Sequence, residues 1–128
     1  MPHVTIEYSA NLAADVDMAD ICRQVNHLMM QSGLFELGAV RVRAFKADSY
    51  AIADQMPQNA FVDVSVRIGA GRPVEQQKQL GKALFEGLTL AFAPQLANPH
   101  FALSLEIREI SADLSWKKNS MHARLRRK

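Results

Sequence analysis

The chain has few of the residues that define disulfide-stabilised and metal-binding proteins. Its 128 residues include one cysteine, Cys22, so no disulfide can form within the chain. Cys22 lies on the apolar face of a predicted helix, which indicates a place in the core. The four histidines, His3, His27, His100 and His122, lack the paired spacing that is typical of metal ligands. We therefore expect no metal site.

Long apolar runs and a strong charge of one sign are also missing. No run of about 18 apolar residues occurs, and the N-terminus lacks the charged-then-apolar pattern of a signal peptide. The net charge is only +2, and its basic excess lies in a short tail, Arg124, Arg126, Arg127 and Lys128. Such a tail is more typical of a solvated terminus than of a nucleic-acid site. We expect a soluble cytoplasmic protein without a membrane or nucleic-acid partner.

The rest of the composition is that of an ordinary globular protein. Hydrophobic residues make up 48% of the chain and charged residues 22%. The length suits one domain over residues 1–128, with enough chain to bury a core. Within it, a strand–helix–strand pattern occurs twice, over about residues 2–50 and 60–112.

Apolar periodicity predicts the elements of both halves. In the first half, alternation predicts a strand over 3–8, a three- and four-residue repeat predicts a helix over 18–31, and a strand follows over 39–45. Asp17 is a plausible helix N-cap, and Gly33 ends the helix. The second half predicts a strand over 61–68, a helix from Pro73 to about Phe92, and a strand over 102–110.

These elements predict an α+β fold. Two β-α-β units would form a four-stranded sheet with two helices on one face. A crossover helix joins parallel strands, so the two strands of each unit should be parallel. The run Gly69-Ala70-Gly71 lacks the spacing of dinucleotide-binding and Walker motifs, so we interpret it as the turn between strand and helix.

The second residue, Pro2, gives the first indication of chemistry. Methionine-trimming aminopeptidases accept a small second residue, so the mature chain should begin with a free proline nitrogen. That nitrogen is a secondary amine, which no other proline in a chain can offer. If it is neutral near pH 7, it can act as a base without any side chain.

Three arginines suggest a site for carboxylates. Arg41 and Arg43 alternate with valines on one strand, so they lie on the sheet face that the helices leave uncovered. Arg72 lies in the turn before the second helix, where backbone N–H groups already favour anions. A guanidinium binds a carboxylate through two parallel hydrogen bonds, so these arginines form a plausible clamp.

An amine beside such arginines suits proton transfer. The ordinary pKa of a terminal amine is about 8, and nearby cations or burial lower that pKa. The amine then becomes a base matched to neutral pH. The natural reaction is removal and return of a proton on an unsaturated keto or enol acid. It needs no cofactor, because the conjugated carbonyl of the substrate holds the charge.

Several segments together resemble the tautomerase superfamily, whose members use an amino-terminal catalytic proline. Met1-Pro2 before a strand and Ala39-Val40-Arg41-Val42 fit that pattern, and Gly71 to Lys78 resembles a segment of the half-length 4-oxalocrotonate tautomerases. Within the superfamily, the chain is most similar to the 5-carboxymethyl-2-hydroxymuconate isomerases of homoprotocatechuate degradation. That likeness spans nearly the whole chain and includes Trp116-Lys117 and Met121-His122.

The resemblance implies a cofactor-independent isomerase that acts on a small anionic substrate. By motif, Pro2 would be the general base, Arg41 would bind one substrate carboxylate, and Arg72 would bind the other end and draw electron density. Arg43 carries over less securely; it would line the pocket or pair with a carboxylate. The family also implies a homotrimer with active sites near the subunit interfaces.

The doubling of the unit predicts one site per chain. The position equivalent to Pro2 in the second half lies inside the chain, near residues 59–61, and offers no free amine. The last strand carries Ser104 and Glu106 where the second strand carries arginines. A trimer would therefore hold three sites.

Two alternatives remain open at this point. One is a related decarboxylase or a dehalogenase that adds water, for which Glu7 or Glu106 would have to reach the pocket. The other is a non-catalytic binding module, in which Arg41 and Arg43 pair with acids across subunits and the basic tail binds an anionic partner.

Overall fold

A computed structural model of the protein, which describes residues 1–127, contains one four-stranded sheet backed by helices. In chain order the elements are β1 (His3–Ser9), α1 (Met18–Gln31), β2 (Arg41–Ala47), β3 (Ala60–Gly69), α2 (Val74–Ala91), α3 (Ala93–Leu96), β4 (Phe101–Ile110) and α4 (Met121–Arg126). The predicted α+β class is confirmed.

The strands lie in the order β2-β1-β3-β4. The outer pairs, β1 with β2 and β3 with β4, are parallel, whereas the central pair β1 and β3 is antiparallel. The helices α1 and α2 are therefore the crossovers of two β-α-β units, which meet back to back along the central strands. The predicted parallel pairing within each unit is confirmed.

The core lies between one face of the sheet and the two long helices. On β1 and β3, alternate residues are at most 1% exposed, and they are Val4, Ile6, Val62, Val64, Val66 and Ile68. The helices cover them with apolar stripes, which are Met18, Ile21, Val25 and Met29 on α1 and Leu80, Leu84 and Leu88 on α2. Both helices therefore lie on one face, as predicted, and the opposite face remains uncovered.

Two local signals in the sequence are confirmed by the backbone. The Asp17 carboxylate accepts a hydrogen bond from the Asp20 N–H at 3.2 Å and so caps α1. In the turn after β3, Gly71 has a φ of +106°, a left-handed conformation that favours glycine. The helix α2 begins at Val74, one residue later than predicted, and Pro73 is its N-cap residue.

Other element boundaries were wrong. The strand predicted over 39–45 runs from Arg41 to Ala47, because Leu37–Ala39 form a short 3₁₀ turn. Pro94 lies in the first turn of α3, where its missing N–H is not needed. Cys22 packs against the rim of the core and is only partly buried, and this burial raises the pKa of its thiol.

The sequence analysis missed the helix α4. It carries Arg124 and Arg126 of the basic tail, whereas Lys128 lies outside the described residues.

Among the helices of residues 1–127, none combines the length and the apolarity that crossing a bilayer requires.

Buried polar groups fill the end of the sheet where β1 stops and β3 starts. Asn59, 7% exposed, donates to the Ile52 carbonyl at 3.0 Å and to the Asp54 carboxylate at 2.7 Å. The Asn59 side-chain oxygen lies 3.1 Å from His100 Nδ1, and the Asn11 side chain donates to the Asn59 carbonyl at 2.8 Å. This network fixes the 48–59 loop against the start of β3.

We expect Asn59→Ala to lower the free energy of unfolding by about 1–3 kcal/mol, because it leaves buried partners without hydrogen bonds. Urea denaturation of the variant and the wild type measures the change. Asn26→Ala is the matched control, since the described residues give the Asn26 side chain no hydrogen bond. Equal stability of both variants would contradict a structural role for the network.

Candidate active site

The central strand pairing brings three distant parts of the chain to one end of the sheet. His3 pairs with Arg67 across β1 and β3, so the N-terminus lies beside the turn that follows β3. His3 also pairs with Arg41, the first residue of β2. Pro2, Arg41 and Arg72 therefore come together, although up to 70 positions separate them in the sequence.

A cavity of about 470 Å³ opens at this end. Met1 and Pro2 line it together with Leu34 and Phe35 from the segment after α1. The other lining residues are Glu36, Ala39, Gly69, Arg72, Lys117, Asn119, His122 and Arg126. The cavity lining thus combines apolar residues with several cationic ones.

Arg72 is held in place without losing its charge. Its Nη2 donates to the Leu34 carbonyl at 3.0 Å, and its guanidinium lies 4.8 Å from the centre of the Phe35 ring. Within residues 1–127 it forms no ion pair with a carboxylate. Its positive charge is therefore available to an anion in the cavity.

Arg41 does not line the cavity itself, but it contacts two residues that do, Met1 and Ala39. Its Nη1 donates to the Ala39 carbonyl at 2.7 Å and lies 2.9 Å from Met1 Sδ. In the described part of the chain, Arg41 likewise pairs with no carboxylate. It can therefore reach an anion beside the N-terminus.

Arg43 lies apart from the other two arginines. It points along the uncovered face of the sheet, where its Nη1 is 3.2 Å from His3 Nδ1, and it does not line the cavity. Together with burial, the Arg43 charge lowers the pKa of His3. The structure thus brings Pro2, Arg41 and Arg72 together and leaves Arg43 outside that group.

The N-terminal amine lies in a strongly cationic environment. Burial is the largest cause that lowers the pKa of the Met1 amine, followed by the charge of Lys117 and its hydrogen bond, and then by Arg72 and Arg41. With Met1 in place, the Pro2 nitrogen belongs to an amide and carries no proton-accepting lone pair.

The sequence analysis missed the C-terminal wall of the site. The Asn119 side chain donates to the Gly38 carbonyl at 2.7 Å, and Arg126 Nε donates to Glu36 at 2.7 Å. A side chain at position 38 would place its Cβ 3.0 Å from His122 Nδ1, so glycine permits this close approach. Lys117 lies in one of the segments that resemble the family, but no periodicity in the sequence indicated that it would line the same cavity as Pro2.

The site offers no set of metal ligands. Across residues 1–127, no group of three His, Cys, Asp or Glu side chains lies close enough together to hold a metal ion. The groups that line the cavity support the binding of an anion and the transfer of a proton.

The fold defines the class of protein first. The solved structure of a fused 4-OT symmetric trimer has a TM-score of 0.63 with this chain at 13% sequence identity, and the match covers 87% of this chain and 88% of that one. At this identity the likeness concerns the fold alone. The doubled β-α-β architecture is thus that of the 4-OT-like tautomerases.

More similar proteins define the family. The model of the 5-carboxymethyl-2-hydroxymuconate isomerase family matches residues 2–125. A 5-carboxymethyl-2-hydroxymuconate Delta-isomerase of Escherichia coli is 35% identical over 123 residues, which are 96% of this chain and 98% of that protein. The chain belongs to the 5-carboxymethyl-2-hydroxymuconate isomerase family.

A crystal structure supports the same assignment. That of a 5-carboxymethyl-2-hydroxymuconate isomerase from Deinococcus radiodurans R1 has a TM-score of 0.91 and 40% identity with this chain. The match covers 98% of this chain and 94% of that one. The predicted resemblance to this family, and with it the prediction of an isomerase, is confirmed.

The placement of Arg43 leads to a prediction about His3. We expect Arg43→Ala to raise the pKa of His3 towards its ordinary value, because removal of a nearby cation makes protonation easier. Titration of the His3 ring by NMR measures the shift. Arg23→Ala, on the exposed side of α1, is the control and should leave the pKa of His3 unchanged. An unchanged pKa in Arg43→Ala would contradict the contact.

Proposed function

We propose that the chain isomerises a small unsaturated hydroxy or keto polycarboxylate, with 5-carboxymethyl-2-hydroxymuconate as the substrate. The name of the Escherichia coli relative, 35% identical, supports the substrate. The observation that carries the mechanism is the N-terminus itself, which lies in a cavity beside arginines that have no carboxylate partner among the described residues.

The base in this proposal is the Pro2 amine, freed by removal of Met1. Pro2 is buried at the cavity, so its nitrogen would be close to the groups that act on the Met1 amine. Burial and neighbouring cations disfavour the protonated form, so the pKa of the Pro2 amine should fall below its ordinary range. More of the amine is then neutral near pH 7 and able to accept a proton.

The proton transfer conserves every atom of the substrate. The amine takes the proton of the substrate hydroxyl, the C–O bond becomes a carbonyl, and the conjugated double bonds shift. The same proton returns to a carbon further along the chain, where a new C–H bond forms. No electron leaves the substrate, so the reaction needs no cofactor.

Arg41 and Arg72 divide the binding of the substrate between them. Arg41, beside Met1, binds a carboxylate at one end. Arg72, fixed by Leu34 and Phe35, binds the other end and stabilises the negative charge that develops during proton transfer. Arg43 contributes to binding through the uncovered face next to His3, rather than within the cavity.

The assembly in this proposal is a homotrimer of single-domain chains in the cytoplasm, with active sites near the subunit interfaces. The fold shared with a fused 4-OT trimer supports it. The uncovered sheet face, with Phe45 55% exposed, offers apolar surface to a neighbouring subunit. Each chain has one amine, so the trimer would hold three sites.

A reaction that adds water is less well supported. It requires a carboxylate that positions the water, and neither Glu7 nor Glu106 lines the cavity. Glu106 pairs with Arg108, and the one acid that lines the cavity, Glu36, pairs with Arg126. No unpaired carboxylate of the described residues therefore faces the site, which favours the isomerase over a dehalogenase.

The role of Pro2 predicts the effect of Pro2→Ala. The variant still has a small second residue, so Met1 is removed and a primary amine replaces the secondary one. We expect kcat/KM for 5-carboxymethyl-2-hydroxymuconate to fall by about 10²-fold or more, as for loss of a general base. Ultraviolet spectroscopy follows the reaction, and mass spectrometry verifies the N-terminus.

Sedimentation should give the same oligomer for Pro2→Ala and the wild type, about three times the 14.3 kDa of one chain. Wild-type rates in processed Pro2→Ala would show that the reaction does not require the secondary amine of Pro2. Protein from the native host that keeps Met1 would support the binding-module alternative instead.

The roles of the arginines predict two further losses. Arg41→Ala and Arg72→Ala should each remove about 2–4 kcal/mol of transition-state stabilisation, as for loss of a preorganised donor. Each change also removes a cation near the amine and should raise the pKa of the amine. When the pH is lowered, the variants should therefore lose activity at a higher pH than the wild type does. The measurement is kcat/KM across pH. Arg108→Ala, which removes an arginine that does not line the cavity, is the control, and wild-type profiles in both variants would reject the clamp.

A further inference from the structure

The segment between β4 and α4 is anchored on both sides of Lys117. Before it, the Ser115 hydroxyl donates to the Ser111 carbonyl at 2.7 Å and so forms a turn. After it, the Asn119 side chain donates to the Gly38 carbonyl at 2.7 Å. The position of Lys117 is therefore set by the fold on both sides, although its side chain is exposed.

Lys117 lies at the junction of two cavities. It lines the cavity of about 470 Å³ that contains Pro2 and Arg72. It also lines a second cavity of about 610 Å³, which His3, Arg67 and Trp116 border. A ligand that fills the first cavity and branches towards the second would pass the Lys117 ammonium group.

The charge of Lys117 is not neutralised by the chain. The acid that lines the first cavity, Glu36, is bound by two hydrogen bonds from Arg126. Among the described residues, Lys117 forms no ion pair with a carboxylate, and its charge lowers the pKa of the Met1 amine, which lines the same cavity. In addition to Arg41 and Arg72, Lys117 is therefore a third cation that has no carboxylate partner among the described residues.

The number of cations matches the charge of the proposed substrate. 5-Carboxymethyl-2-hydroxymuconate has one carboxylate at each end of its chain and a third on its carboxymethyl branch. Arg41 and Arg72 account for the two ends in the proposed function, on which this inference rests. The branch then needs its own cationic partner, because a carboxylate loses hydration when it enters a cavity.

We infer that Lys117 binds the carboxymethyl carboxylate at the junction of the two cavities, and so selects a branched tricarboxylate over an unbranched dicarboxylate. A point charge on a flexible stem suits this task, since the branch rotates freely and needs no planar fork. The role is one of specificity, whereas the base and the two arginines act on any muconate.

A comparison of two substrates tests this role. We expect Lys117→Ala to lower kcat/KM for 5-carboxymethyl-2-hydroxymuconate by about 10- to 100-fold, the effect of one hydrogen bond to a charged group. For 2-hydroxymuconate, which lacks the branch, the loss should stay within about threefold by the same principle. Lys117→Arg should restore most of the activity, because it restores the charge.

Lys118→Ala is the matched control, because Lys118 is the adjacent exposed lysine and lines neither cavity. Competitive inhibition gives a second readout that needs no turnover of the unbranched substrate. Lys117→Ala should weaken inhibition by 2-carboxymethylhexanedioate but leave that by hexanedioate unchanged. All proteins are compared after mass spectrometry has verified removal of Met1.

The outcomes separate this inference from the proposed function. Equal losses for both substrates and both inhibitors in Lys117→Ala would overturn the specificity role, and would mean that Lys117 acts only through the amine. If the wild type isomerises neither substrate, the proposed function itself fails. If the wild type is active and Lys117→Ala keeps its preference for the tricarboxylate, only the inference fails.

Discussion

The antiparallel pairing of β1 and β3 is the constraint on which the rest of the structure depends. Because the two strands run in opposite directions, the start of β1 lies beside the end of β3 and the turn that leads into α2. Pro2 belongs to the first unit and Arg72 to the second, so only this pairing makes them neighbours. A single unit of this chain has either the N-terminal amine or the turn arginine, and only the paired sheet contains both.

The sequence predicted the elements with strong periodicity and missed those that depend on distant contacts. Alternation on β3 and the apolar stripes of α1 and α2 were sufficient for the class of fold, since burial imposes those periods directly. The start of β2 was wrong because its register depends on pairing with His3, which no local pattern encodes. The helix α4 packs against the turn at Leu37–Ala39, a contact that spans most of the chain.

The candidate site was predictable in the same uneven way. Arg41 and Arg72 were found because a strand and a turn fix their directions, and both lie beside the N-terminus. Arg43 shares the strand of Arg41, yet a two-residue step places it opposite Thr5, where its side chain contacts His3 and does not line the cavity. Lys117 lies in a segment without regular structure, so its position follows from tertiary contacts at Asn119 and not from any spacing.

The two ends of the central strands show why doubling the unit need not double the site. At one end, the chain terminus leaves room for a cavity whose cations have no acid partners among the described residues. At the other end, Asn11 and Asn59 fill the equivalent space with hydrogen bonds to backbone carbonyls and to the Asp54 carboxylate. Arg41 and Arg72 are partly buried, and partly buried charge without a counter-ion raises the free energy of the folded chain. An anionic ligand removes that cost when it binds, so the end that stabilises the fold least is the one best suited to hold a polycarboxylate.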